Sequence, residues 1–191
     1  GVGRLVLWDY DEVELSNLNR QVLYSTDDIG REKSAVGASH LSRLNPEIHV
    51  QGVSTEITGE TLARHASNAD VIVDCLDSMS TRFLLNKFAV SHSIPLVHGG
   101  IHGTNGQVTV VPAGGKPCLE CIFAGMEDRK GVPVLGAAVG IIGSMEALEA
   151  LKLVSGYGKT LAGRLLICEG YGGMYQEIAL DADPNCPVCG G

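Results

Sequence analysis

Two Cys-x-x-Cys pairs, Cys118-Leu-Glu-Cys121 and Cys186-Pro-Val-Cys189, constrain this chain more than any other feature. A Cys-x-x-Cys turn presents two thiolates on one side of a knuckle, and two knuckles complete a tetrahedral four-sulfur site for Zn2+. Turn formers flank both pairs: Gly114, Gly115 and Pro117 at the first, and Pro184, Pro187, Gly190 and Gly191 at the second. With all four positions filled by the chain, such a metal would be structural and not catalytic. Any fold must then bring the last residues back to the middle of the sequence. The remaining cysteines, Cys75 and Cys168, sit inside apolar runs and read as buried small residues. The sequence carries no visible signal peptide, so metal binding is preferred to a disulfide framework or a redox pair.

Between and before the knuckles, short apolar runs alternate with helical spacing. Aromatic residues are only 5% of the chain against 45% hydrophobic, so burial must rest on Val, Ile, Leu and Ala, the material of buried parallel sheets. Strands are expected at Arg4–Trp8, 48–53, 71–75 (buried on both faces), 95–98 and 106–111. Helices are expected at 34–44, 60–66, 81–93 and 137–155. Late strands at 164–168 and 176–180 read as antiparallel. Gly136, Gly140 and Gly143 on the long helix suggest a closely approaching backbone. The pattern implies an α/β fold: a Rossmann-like, doubly wound, mostly parallel sheet extended by antiparallel strands, in a single domain over 1–191.

Charge and motifs exclude several classes. Net charge is −8, so a broad nucleic-acid surface is not expected. The uncharged stretch 131–145 is too short and too glycine-rich to span a bilayer, and a cytoplasmic, membrane-free protein is the expectation. No Gly-x-Gly-x-x-Gly occurs, and Gly158-Lys159-Thr160 lacks the earlier glycine of a phosphate loop, which argues against a nicotinamide oxidoreductase and a Walker nucleotidase. His98 and His102 read as loop histidines without a carboxylate partner in sequence.

Several polar residues fall near the expected carboxyl ends of strands, where doubly wound sheets bind ligands. Asp9 follows the first strand and suits ribose hydroxyls. Asn17, Arg20 and Gln21 follow in Ser-Asn-Leu-Asn-Arg-Gln, and Lys33 begins the next helix. Asp77, in Asp74-Cys-Leu-Asp77-Ser78, could hold Mg2+. The residues alone leave open a plainer reading, with solvated loops and Asp77 or Ser78 capping the helix that follows.

The segments Leu5-Val-Leu-Trp-Asp9-Tyr-Asp11, Leu15-Ser-Asn17-Leu-Asn-Arg20-Gln21, Asp74-Cys-Leu-Asp77 and Gly106-Gln-Val-Thr, the long helix from Gly140 to Lys152, and both Cys pairs together resemble the ThiF/MoeB/HesA family. These are prokaryotic relatives of ubiquitin-activating enzymes. The resemblance covers essentially the whole chain. It implies ATP-dependent adenylation of the C-terminal Gly-Gly carboxylate of a ubiquitin-like (β-grasp) sulfur-carrier protein, by a homodimer. Carried over by position, Asp9 would hold the ribose of ATP. Asn17, Arg20 and Lys33 would engage its phosphates, Gln21 would also belong to the nucleotide site, and Asp77 would coordinate Mg2+. Arg20, Lys33 and Asp77 would carry catalysis by positioning and electrostatics.

The sequence departs from the family in two places. The segment 122–136 has no cysteine to take the activated carrier, so the reaction is expected to stop at the acyl-adenylate. The family's glycine-rich phosphate turn and an N-terminal arginine would precede the first strand, which suggests a fragment. The alternative is a non-catalytic, zinc-stapled module that docks a carrier or dimerises.

Overall fold

The computed structural model describes residues 1–128 and 133–190. Positions 129–132, inside the cysteine-free segment, and Gly191, beside the second knuckle, lie outside the described residues. The chain divides into two compact units, Gly1–Ile57 and Thr58–Gly191.

The first unit is a βαβ turn of chain. Strand β1 (Arg4–Trp8) pairs in parallel with β2 (His49–Val53), from Arg4 opposite His49 to Trp8 opposite Val53. Parallel neighbours need a crossover, and helix α1 (Lys33–Leu44) supplies it, burying Ser34, Val36 and Gly37. The helix stops at Asn45 because Pro46 disfavours helical geometry at the residue before it. Gly52 of β2 permits the close contact of strand and helix: a Cβ there would sit 2.5 Å from the Ser34 carbonyl. Val13, Val36 and Val53 are the buried aliphatics of this unit. Two single-turn 3-10 helices, Leu15–Asn17 and Thr26–Asp28, order the polar connection.

The second unit contains α2 (Gly59–His65), β3 (Ile72–Asp74), α3 (Met79–Ser91), β4 (Leu96–His102), β5 (Asn105–Val111), α4 (Leu119–Phe123), α5 (Gly136–Ser155), β6 (Arg164–Glu169) and β7 (Met174–Ala179). The five strands form one sheet in the order β3-β4-β5-β6-β7. Its core joins Val97, Val108, Val110, Leu161 and Cys168 to Ile142 of α5. Helix α5 ends at Gly156, whose left-handed φ of 68° is the usual glycine C-cap.

The α/β character and the antiparallel late strands agree with the sequence; the pairing pattern differs. Among the described strand pairs, β1–β2 and β3–β4 are parallel, whereas β4–β5, β5–β6 and β6–β7 are antiparallel. The mixed character follows from turn chemistry. Gly103, at φ 64°, begins a two-residue turn between His102 and Asn105, and such a turn can only reverse the chain.

Three finer expectations are corrected. Strand β3 is not buried on both faces, because it lies at the sheet edge and Val73 stays 39% exposed. Cys75, past the end of that strand, is exposed and not buried. Gly140 and Gly143 meet no approaching backbone, since a Cβ on either would find nothing within 4 Å.

Candidate functional site

In the first unit, the end of β1 and the start of α1 bring two of the expected residues, Asp9 and Lys33, together. The Lys33 side chain is 8% exposed, and its Nζ lies 3.1 Å from Asp11 Oδ2 and 3.8 Å from Asp9 Oδ2. Asp9 is fixed in turn, because the Asp11 amide donates to its Oδ1 at 2.9 Å. A cation and two carboxylates are thus gathered at the carboxyl end of a parallel strand. Asp11 belongs with Asp9 and Lys33, although sequence reasoning passed over it.

Residues 14–21 form one tight turn with Asn17 at its hub. Asn17 is buried; its Oδ1 accepts from the Glu14 amide at 3.1 Å, and its carbonyl accepts from the amides of Arg20 and Gln21. The Arg20 guanidinium donates to the Ser16 carbonyl and to Asn19 Oδ1, at 3.0 and 2.8 Å. Gln21 Oε1 is buried without a hydrogen-bond partner among the described residues.

Tyr24 ties this turn to Lys33. Its amide donates to the Gln21 carbonyl and its hydroxyl to the Lys33 carbonyl, each at 3.2 Å. Burial, with the Asp9 and Asp28 carboxylates, pushes the Tyr24 hydroxyl up to about 12, so it remains a neutral donor. Sequence pattern gave no sign of this role.

In the second unit, Asp77 is exposed, between β3 and α3. Ser78 caps α3, its Oγ accepting from the Thr81 amide at 3.3 Å, so the plainer capping reading holds for that residue. Beneath the turn lies a buried polar group that the sequence did not announce. His98 is in β4, fully buried, with Nδ1 2.7 Å from Oδ2 of the buried Asp74. The loop-histidine reading is therefore corrected for His98: parallel pairing of β3 with β4 sets Asp74 opposite it. Arg82 Nε lies 3.5 Å from Asp74 Oδ1.

Glu146 of α5 joins the same region, pressed against Gly99 of β4 where a Cβ would collide with its carboxylate. Burial first, then the Asp74 charge, pushes the Glu146 carboxyl up to about 8. The sign follows directly. A carboxyl raised from 4.5 to about 8 keeps its proton better in the folded state, so stability falls as pH climbs through that window. Urea unfolding of Glu146→Gln at pH 5 and pH 8 should show that loss removed. The scale is on the order of 1.4 kcal/mol per pKa unit, and equal pH slopes in parent and variant would contradict it.

The Asp77 turn also bears on Cys75. Its Sγ lies 4.0 Å from Glu146 Oε1. Burial of the sulfur, with the Glu146 and Asp74 charges, raises the thiol to about 12 even though the residue as a whole is exposed. A thiolate nucleophile is disfavoured there.

The two Cys pairs do meet. All four Sγ atoms of Cys118, Cys121, Cys186 and Cys189 lie within 4.8 Å of one another. Cys118 and Cys186 are 3.7 Å apart, Cys121 and Cys189 3.4 Å. A tetrahedral zinc with bonds of about 2.3 Å would set sulfurs about 3.8 Å apart. Cys118 occupies the residue just before the short helix α4, and its neighbour Leu119 donates its amide to Asn86 Oδ1 of α3 at 3.0 Å. Burial raises the thiols of Cys118 and Cys189, the latter further through the surrounding sulfurs. Burial would raise Cys186 too, but the amides of Cys189 and Val188 donate to it and bring it down to about 7. Cys186 thus gives up its proton readily, whereas the raised thiols of Cys118 and Cys189 would lose theirs only to a bound cation.

A family model described as the ThiF family matches residues 1–188. The chain is 40% identical over 196 residues to the sulfur carrier protein ThiS adenylyltransferase of Escherichia coli (strain K12), covering 100% of this chain and 78% of that protein. It is 39% identical over 197 residues to the SAMP-activating enzyme E1 of Haloferax volcanii, covering 100% of this chain and 72% of that protein. Among solved structures, E. coli MccB with ATP superposes at a TM-score of 0.84 and 23% identity, over 100% of this chain and 60% of that one. At that identity the likeness speaks for the fold alone.

Proposed function

The chain belongs to the ThiF family, and from that membership we propose that it adenylates the C-terminal Gly-Gly carboxylate of a ubiquitin-like sulfur-carrier protein. A carboxylate oxygen of the carrier attacks the α-phosphorus of ATP. The bond from that phosphorus to the bridging oxygen breaks, and pyrophosphate leaves. The observation that carries the reading is the match over residues 1–188 together with relatives named as an adenylyltransferase and an activating enzyme. The same names weigh against the non-catalytic module.

The residues fit the nucleotide. Asp9 would accept from the ribose hydroxyls. Lys33, with Arg20 and Asn17, would face the phosphates, where charge develops as the α-phosphorus is attacked. The unpartnered Gln21 Oε1 is an acceptor that a hydroxyl or amino group of the ligand would satisfy. Mg2+, when bound, would be held by the exposed Asp77 carboxylate and would supply charge stabilisation for phosphoryl chemistry. The four cysteines would hold one structural Zn2+.

Homodimerisation belongs to the same proposal; the exposed Ile141, Leu148, Leu151 and Val154 of α5 support it. None of the described helices is long and apolar enough to cross a membrane.

ATP–pyrophosphate exchange with a Gly-Gly-ending carrier tests the activity. Exchange that depends on the carrier's terminal carboxylate is expected. A folded, zinc-loaded chain without exchange would reject it.

A further inference from the structure

We propose that Arg82 is the positioning residue for Asp77, holding that carboxylate in register for a divalent cation by gripping the peptide before it. The inference rests on the reading of Asp77 as the Mg2+ carboxylate. Asp77 is exposed, and no hydrogen bond or ion pair engages its carboxylate among the described residues. An unsupported loop carboxylate is a poor cation ligand, because its orientation must be fixed when the ion binds. Here the backbone on both sides of it is already fixed.

On the N-terminal side, both polar groups of Leu76 are held. Its amide donates to Asp74 Oδ1 at 3.0 Å, and its carbonyl accepts from Arg82 Nη2. The same Nη2 donates to the Gly99 carbonyl of β4 at 3.0 Å, and Arg82 Nε faces Asp74 Oδ1 at 3.5 Å. One guanidinium therefore ties the Leu76 peptide to two strands of the sheet. The grip is itself rigid: the Asp74 side chain is 0% exposed, that of His98 1% and that of Arg82 12%. His98 holds the second Asp74 oxygen at 2.7 Å. On the C-terminal side, Ser78 caps α3 and its carbonyl accepts from the Arg82 amide at 3.0 Å. The Arg82 guanidinium thus braces the N-terminal end of the turn whose free side chain is Asp77, and the helix backbone holds the C-terminal end.

Only a planar, multiply donating group can span the Leu76 carbonyl, the Gly99 carbonyl and Asp74 together. Lysine keeps the charge beside Asp74 and gives up that geometry. The test is Mn2+ binding in the presence of ATP, read by electron paramagnetic resonance on the full chain, with thermal unfolding of the same samples. Arg82→Lys is expected to bind Mn2+ at least ~10-fold more weakly, the usual range for losing a support of a metal ligand, while remaining folded. Folded Arg82→Lys with parental Mn2+ affinity overturns the proposal.

Asp77→Asn, measured alongside, separates the two layers. Parental affinity in Asp77→Asn removes the role of Asp77 and the inference with it. Loss in Asp77→Asn with parental affinity in Arg82→Lys overturns the inference alone. If Arg82→Lys does not fold, hydrogen exchange of the unaltered chain decides: the Arg82 guanidinium protons that bond the Leu76 and Gly99 carbonyls must be protected, and exchange at the rate of a free guanidinium counts against the grip.

Discussion

Lys33→Ala and Arg20→Ala are each expected to cut ATP–pyrophosphate exchange at least ~100-fold, the usual loss when one charge-stabilising group is taken from a preorganised site. Lys33 carries the stronger case. Its ammonium is nearly buried, and its charged neighbours among the described residues are carboxylates, Asp11 at 3.1 Å and Asp9 at 3.8 Å. A purely structural ion pair would place it no differently, so stability must be followed as well. Deleting Lys33 leaves two carboxylates facing each other, and some destabilisation is expected. The informative result is exchange lost at a temperature where the variant is still folded. Arg20 separates the effects more cleanly, because its side-chain bonds are confined to the Ser16–Asn19 turn. Its removal should leave unfolding within about 0.5 kcal/mol of the parent, the range for a surface change, while exchange collapses. Undiminished exchange in both variants would take these residues out of the mechanism.

Replacing any one of Cys118, Cys121, Cys186 or Cys189 with Ser is expected to abolish one-to-one zinc content and to lower folding stability by several kcal/mol, since metal affinity at such a site is folding free energy. The four sulfurs come from two distant stretches of chain and converge on one point. Without a cation, the raised thiols of Cys118 and Cys189 stay protonated and supply no attraction that would hold those stretches together. Chelation should reproduce the effect in the unaltered protein, and acid should too, because the ligands must lose protons to bind. Zinc content by atomic absorption, measured with the melting curve, checks this. A serine variant that melts with the parent would show that the cluster is not a folding element.

The sequence made the elements legible wherever periodicity was local. Residues 4–8 and the helix ending at Ser155 coincide with the strand and helix expected. Helix α4 escaped notice because Leu119–Phe123 is a single turn, too short to show a period. The cysteine cluster was legible because Cys-x-x-Cys is a local motif and two such motifs have one common use. The Asp74–His98–Arg82 group was not legible: its members lie on β3, β4 and α3, and only strand pairing sets them together. Tyr24 escaped for a similar reason, since its hydroxyl serves a backbone carbonyl and leaves no mark on side-chain pattern. The mostly parallel sheet was overestimated because apolar runs carry no direction; Gly103, which reverses the chain, was the residue to weigh.

The contact between Gly99 and the Glu146 carboxylate also bears on how this sequence can drift. Any side chain at 99 would enter the space that the carboxylate fills, so single substitutions there should be almost uniformly harmful in a mutational scan. Shortening Glu146 to alanine would open that space. Alanine at 99 should then be better tolerated in the double variant than in the single one, a case of positive epistasis between two positions far apart in sequence. Gly99 is open to change only once Glu146 has been shortened, so the order in which the two change decides whether the path is passable.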